Sequence, residues 1–206
     1  MEIKPFLLRY REEPDLFRQE IDVLITGIGL TATTYHLSRQ LSIKKPSLVI
    51  QAGVAGCFDK RIPLGTVVSV KQDTIADQSV VELKQLKTLF DLKLVPANEF
   101  PYQQGWLRNP HTELTRSVKL KSVKGISVNE ITTSAARVRQ YQELFNPVTE
   151  SMEGAALHYT CLMEAVPFIQ LRSLSNYIAE RNKKKWNMQE SIVNLNNELI
   201  RMFQSL

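Results

Sequence analysis

The sequence predicts an α/β fold: a single domain of three layers, α/β/α, in which a mixed, mostly parallel central sheet is covered by helices on both faces. Three observations predict it. Short apolar runs alternate with stretches of helical periodicity along the chain. Residues 153–165 are apolar on most sides, as suits a helix buried in the core. Near the C-terminus Met188, Ile192, Leu195, Leu199 and Met202 recur at steps of four and three, one stripe of a 3.6-residue period.

Taken in order, residues 22–26 (DVLIT) are a short apolar run that reads as a buried strand. Residues 31–42 read as a helix and residues 47–51 (SLVIQ) as the next strand. Residues 67–71 and 122–127 are further strand candidates. Residues 134–145 are helical, with Ala135, Val138, Tyr141 and Leu144 or Phe145 near one face. The buried helix over 153–165 precedes a strand at 167–171 and the final helix. Asn187 is placed to cap that helix, with Glu190 three residues on in the capping-box arrangement. Residues 95–112, with three prolines and several aromatic residues, read as a long irregular loop.

Composition narrows the class. A chain of 206 residues can bury a core without disulfides or metals. With 43% hydrophobic and 23% charged residues it is neither collagen-like, low-complexity nor disordered. Cys57 and Cys161 form no Cys-x-x-Cys pair, and the three histidines lack zinc-ligand spacing. Two reduced, buried thiols in a cytoplasmic protein are expected. The net charge is +5, but the one dense basic run, Lys183-Lys184-Lys185, is short, so no nucleic acid partner is expected. No apolar run reaches the roughly 18 residues of a membrane span, and charges interrupt the N-terminus before any signal-peptide pattern forms.

Ligands of such sheets bind beyond the carboxyl ends of the strands, where four small or polar segments fall. Gly27-Ile28-Gly29 permits a tight turn and close backbone approach, but lacks the third glycine of a dinucleotide fingerprint. Gln51-Ala52-Gly53-Val54-Ala55-Gly56 reads as a second small-residue turn. Ser151-Met152-Glu153-Gly154-Ala155-Ala156 opens the buried helix. Its carboxylate is costly there unless paired, or else complements the helix N-terminus. Ser173-Leu174-Ser175-Asn176 follows the strand at 167–171.

In this order, over nearly the whole chain, the four segments resemble the nucleoside phosphorylase and nucleosidase superfamily. Residues 175–182 (SNYIAERN), continuing to Trp186, are most similar to its futalosine hydrolase branch. The resemblance implies a phosphorylase-like fold and one nucleoside site lined by Gly29, Gly53, Val54, Val128, Asn129 and Met152. It implies that Glu153 holds the ribose 2′- and 3′-hydroxyls, since a carboxylate accepts both protons. It places Asn176 at the purine, where adenine-releasing relatives carry Asp. An amide suits a 6-oxopurine, because its N–H can donate to the exocyclic 6-oxygen and its carbonyl can accept from N7–H. Asn176 can equally be a turn or capping residue.

Phosphorylases of the superfamily carry arginine at the small-residue turn. Gln51 stands there, which favours water over phosphate as nucleophile. The relatives' general base is a glutamate just after their first strand, and Glu2 matches that segment. Only Met1 precedes Glu2, so the family's first, central strand is expected to be missing; a mis-assigned start codon or a truncated sequence would explain that, and a true loss would leave Glu2 on a mobile terminus. Glu12 and Glu13 are expected to be solvated, as is the run from Arg181 to Lys185, unless Arg181 attracts a substrate carboxylate. Phe100, Tyr102 and Trp106 wall the 5′ side of the site or pack in the core. The resemblance implies hydrolysis of futalosine to hypoxanthine, a menaquinone-pathway step, by a cytoplasmic homodimer or higher homo-oligomer with no metal or organic cofactor. An inosine- or methylthioadenosine-type nucleosidase or phosphorylase, or a non-catalytic nucleoside-binding module, is the alternative.

Overall fold

A computed structural model describes residues 3–13 and 20–205. Helices α1 (Lys4–Glu12) and α2 (Leu30–Ile43) precede strands β1 (Val49–Cys57) and β2 (Val67–Asp73). A hairpin, β3 (Ser79–Glu82) and β4 (Gln85–Thr88), leads to β5 (Leu107–Arg108), α3 (Thr112–Ser117) and β6 (Lys121–Ser127). Then follow α4 (Ala135–Phe145), β7 (Thr149–Ser151), α5 (Gly154–Met163), β8 (Phe168–Tyr177) and α6 (Met188–Ser205).

The main sheet runs β5-β2-β6-β7-β1-β8, and β2 also pairs with β8, so the sheet rolls round on itself. It is mixed. β1 pairs with β8, β2 with β6 and β6 with β7 in parallel; β7 lies antiparallel to β1, and β5 and β8 antiparallel to β2. β8 has helices on both sides and is buried from Phe168 to Ser175, which explains its lack of alternation. On one face Leu195, Leu199 and Met202 of α6, with Phe6 of α1, pack on Ile169, Leu171 and Val67. On the other, Leu37 and Leu41 of α2 and Leu157 and Cys161 of α5 pack on Phe168. Each such fully buried apolar side chain contributes about 2 kcal/mol. The helix over 134–145 turns Tyr141 and Phe145 inward and leaves Leu144 exposed.

Several local expectations change. Residues 22–26 are not a strand: among the described residues no strand edge pairs with them, and Val23, Leu24 and Ile25 remain 44%, 39% and 69% exposed. Conversely β1 continues through Gly53 and Val54 to Cys57, so the small-residue segment is strand, not turn, and β8 likewise carries Ser173 to Asn176. Pairing with a neighbour along its length keeps each segment extended where composition suggested a turn. The capping box is not reciprocal. The Asn187 main-chain N–H is taken by the Ser175 carbonyl at 2.7 Å, so Glu190 accepts the Asn187 side-chain amide instead. The stretch 95–112 is largely turns packed inward. Tyr102 stacks edge-on against Phe90 at 5.0 Å, Trp106 against Phe145 at 6.0 Å, and Phe100 is exposed.

Candidate active site

One large cavity, about 590 Å³, opens at the carboxyl ends of β1 and β8, a size suited to a nucleoside-sized ligand. Met152, Glu153, Gly53, Val54, Val128 and Asn176 all line it. Gly29 reaches it through Glu153. With φ at +80° and +94°, Gly27 and Gly29 adopt left-handed conformations that disfavour side chains. This turn aims the Gly29 N–H at Glu153 Oε1, 3.3 Å away. Asn129 does not line the cavity: the main-chain N–H groups of Asn129 and Glu130 both donate to Asp77 Oδ2, at 2.5 and 3.1 Å, on the exposed side. Glu2 lies outside the described residues; its neighbour Ile3 lines the cavity.

Glu153 stands immediately before α5. The first N–H groups of that helix are satisfied by two serines: Ala155 N–H donates to Ser127 Oγ at 2.8 Å and Gly154 N–H to Ser151 Oγ at 3.2 Å. The Glu153 side chain is therefore free to face the cavity. There Arg172, on β8, places Nη1 3.3 Å from Glu153 Oε2 and donates through Nη2 to Gln51 Oε1 at 2.7 Å. Nη1 also donates to the Val54 carbonyl at 3.4 Å. Gly53 is small for a reason: a Cβ there would stand 2.5 Å from Arg172 Nη1.

The cation is the main residue the sequence reading missed. Its signal is a lone arginine inside an otherwise apolar and uncharged run, FIQLRSLS. The β1 segment lacks arginine, as the sequence has it, but a buried guanidinium lies beside Gln51, supplied by the neighbouring strand and already engaged by Glu153 and Gln51. Asn176 Oδ1 accepts from Ser175 Oγ at 3.0 Å and its Nδ2 donates to the Tyr177 carbonyl at 3.1 Å. An amide has two N–H groups and two lone pairs, so one of each remains.

Beneath the cavity floor lies a fully buried polar group. Asp73 Oδ1 accepts from Ser127 Oγ at 2.9 Å, and burial pushes the Asp73 carboxyl up to about 7. His158 shares Gln170 as a neighbour, and burial pushes its imidazole down to about 4, so it is neutral at pH 7. Its Nδ1 lies 2.9 Å from the Leu107 carbonyl, to which it can only donate. Gly154 sits against this cluster; a Cβ there would run into Asp73 Oδ2 and Gln170 Nε2.

At the cavity's outer edge Arg181 stacks over the Trp186 ring at 6.0 Å, and both residues line it with Glu180. Residues 95–112 contribute nothing to its lining. Among the described residues no group of three or more His, Cys, Asp or Glu is placed to hold a metal ion, and no helix is long and apolar enough to cross a membrane.

A mixed sheet with a glutamate, an arginine and an asparagine converging on one cleft makes this an α/β protein whose cavity presents a carboxylate, a guanidinium and a carboxamide among apolar walls. The chain belongs to the phosphorylase superfamily, whose family model matches residues 16–205. It is 27% identical over 172 residues to the futalosine hydrolase of Thermus thermophilus, covering 82% of this chain and 75% of that protein. It is equally 27% identical over 164 residues to the 5′-methylthioadenosine/S-adenosylhomocysteine nucleosidase of Halalkalibacterium halodurans, covering 77% and 68%. Among solved structures, the Helicobacter pylori nucleosidase of that name, bound to butyl-thio-DADMe-Immucillin-A, superposes with a TM-score of 0.77 at 20% identity over 100% of this chain and 94% of that one. The Helicobacter pylori futalosine hydrolase gives 0.72 at 19% identity with the same coverage. Both share the fold.

Proposed function

We propose that the chain is a purine nucleosidase that hydrolyses the N-glycosidic bond of futalosine and releases hypoxanthine. The observation that carries this reading is Glu153 facing the cavity, paired with Arg172, while Asn176 lines the same cavity. Glu153 accepts the ribose 2′- and 3′-hydroxyls, and Met152 packs under the sugar. As the bond breaks, positive charge develops on the ribose and negative charge on the purine. An anion beside the sugar and a hydrogen-bonding amide beside the base stabilise that separation more than they stabilise the substrate. As the bond breaks N7 takes up a proton from solvent; the lone pair left on Asn176 Oδ1 accepts the new N7–H, and the N–H left on Nδ2 donates to the 6-oxygen. Gly29, Gly53 and Val54 let the ribose approach the backbone, and Val128 packs beside the base. Glu2 takes the proton from the attacking water, a role supported by Ile3 in the cavity wall.

Water is favoured over phosphate because Arg172, the cation beside Gln51, is committed to Glu153, Gln51 and the Val54 carbonyl. Arg181 at the outer edge supplies a charge for a distal substrate carboxylate. The active species is a cytoplasmic homo-oligomer. The test is chromatographic: purified protein with futalosine, with and without phosphate. Hypoxanthine at equal rates supports the reading. Release that needs phosphate overturns hydrolysis, and no release at all overturns the assignment. The identity shared with the methylthioadenosine nucleosidase supports a second reading, which adenine release from 5′-methylthioadenosine would establish.

A further inference from the structure

The first turn of α5 is held from beneath by side chains that the chemistry above does not use. Glu153 stands at its cap, but its side chain makes no capping bond. Ser151 and Ser127 supply the acceptors instead, for the Gly154 N–H at 3.2 Å and the Ala155 N–H at 2.8 Å. The register of β6 on β7 sets Ser127 beside Ser151, and their hydroxyl oxygens lie 3.5 Å apart. Ser127 Oγ donates in turn to Asp73 Oδ1, at the end of β2, at 2.9 Å. All of these side chains are buried, those of Asp73 and Ser127 completely.

A hydroxyl has one hydrogen and two lone pairs. Ser127 uses its hydrogen on Asp73, so between the two serines only Ser151 can donate. The bonds then run one way: Ser151 O–H to Ser127, and Ser127 O–H to Asp73. Each serine keeps a lone pair for a helix N–H. Asp73 ends the chain as an acceptor, and that end fixes its direction. Oδ1 accepts whether the carboxyl is ionised or protonated, since a proton on Oδ2 leaves Oδ1 free. Oδ2 faces Gly154 and the Gln170 amide, and a Cβ at Gly154 would run into both. The Ser127 main chain is clamped to the stretch after Asp73: its N–H donates to the Thr74 carbonyl at 2.8 Å and its carbonyl accepts the Ala76 N–H at 2.9 Å.

We propose that Asp73 is a positioning residue: as the terminal acceptor of this hydroxyl chain it fixes the first turn of α5, and so holds the Glu153 carboxylate in register with the ribose. The inference rests on the purine-nucleosidase reading of the cavity. Asp73 and Ser127 do not line the cavity, so Asp73 acts through the serines and not on the substrate. A displacement of about 1 Å can cost about 100-fold in rate, so loss of the chain falls on kcat more than on KM.

The experiment compares hypoxanthine release from futalosine by the wild-type chain, Asp73→Leu, Asp73→Asn, Ser127→Ala and the double variant of Asp73→Leu with Ser127→Ala. Leucine keeps the volume but cannot accept; asparagine keeps an acceptor for Ser127. Asp73→Leu and Ser127→Ala should each lower kcat by about 30-fold with KM within about threefold, and Asp73→Asn should keep kcat within about threefold. The double variant should also fall by about 30-fold, not the roughly 1,000-fold of independent effects. Losses that multiply, or an asparagine variant as slow as the leucine one, overturn the role of Asp73. Should Asp73→Leu fail to fold, Ser127→Ala decides: unchanged kcat in the folded protein overturns the inference. Amide exchange reads the anchor without turnover. Gly154 and Ala155 should exchange at least about 10-fold faster in Asp73→Leu and Ser127→Ala than in the wild type or Asp73→Asn, with α6 unchanged, and equal exchange overturns the anchoring. If the wild type releases no hypoxanthine while the exchange difference stands, the nucleosidase reading fails, and with it the role in this reaction, while the anchor of α5 remains.

Discussion

Arg172 Nη1 lies 3.3 Å from Glu153 Oε2, and the two side chains are only 4% and 19% exposed. The pair joins β8 to the start of α5 and fixes a carboxylate at the edge of the cavity. Removing one partner of a buried ion pair leaves the other uncompensated. Arg172→Met should therefore lower unfolding stability by about 3 kcal/mol and abolish base release, read by denaturant titration and chromatography. Glu153→Gln keeps the volume and a hydrogen bond to the guanidinium. It should cost less stability but slow turnover by about 100-fold or more, because the ribose loses its anion. Full activity in a folded Glu153→Gln protein would remove Glu153 from the chemistry.

Asn176 sets the second prediction. Replacing its amide by a carboxylate removes the donor that suits a 6-oxygen and supplies an acceptor for a 6-amino group. Asn176→Asp should shift the ratio of hypoxanthine to adenine release by about 10- to 100-fold toward adenine, measured on futalosine and its 6-amino analogue in competition. A ratio that stays put would make Asn176 a strand residue held by Ser175 and Tyr177, with no part in purine choice.

Gly53 tests the packing behind the ion pair. A methyl group there must displace the Arg172 guanidinium, since the Cβ position is already 2.5 Å from Nη1. Gly53→Ala should cost about 1–3 kcal/mol and reduce turnover together with stability, because Glu153 moves when its partner does. Loss of stability with unchanged kinetic constants would uncouple the two.

The buried Asp73 and His158 predict opposing pH dependences. Asp73 rises from an ordinary 3.8 to about 7 on folding, so between those values the native state holds a proton that the unfolded chain has lost. Its contribution to stability falls as pH rises through that window and is level above it. His158 falls from 6.5 to about 4, so over that range the unfolded chain binds the extra proton, and this contribution rises with pH. The two oppose each other below about pH 6.5. Relative to the wild type, melting temperatures across this range should climb more with pH in Asp73→Asn, where the carboxyl no longer offsets the histidine, and fall more with pH in His158→Gln, where the histidine no longer offsets the carboxyl. Parallel curves for both variants and the wild type would rule the linkage out.

The sequence by itself determined the fold class, the order of the helices α2, α4, α5 and α6 and of the strands β1, β2, β6 and β8, and the residues that face inward from α6, because periodicity reports burial directly; α1, α3, β5 and β7 were not legible in it. The small and polar segments, with the family resemblance they carry, also pointed to Glu153, Met152, Gly53, Val54, Val128 and Asn176, which line one cavity. Tertiary structure decided the rest. Residues 22–26 have a strand's composition but no paired edge, while the small residues of β1 are extended because β8 pairs along them. Arg172 lies beside Gln51 only because β8 runs beside β1. Strand order and register bring distant residues into one row, and no local pattern in a single chain encodes which strands will be neighbours.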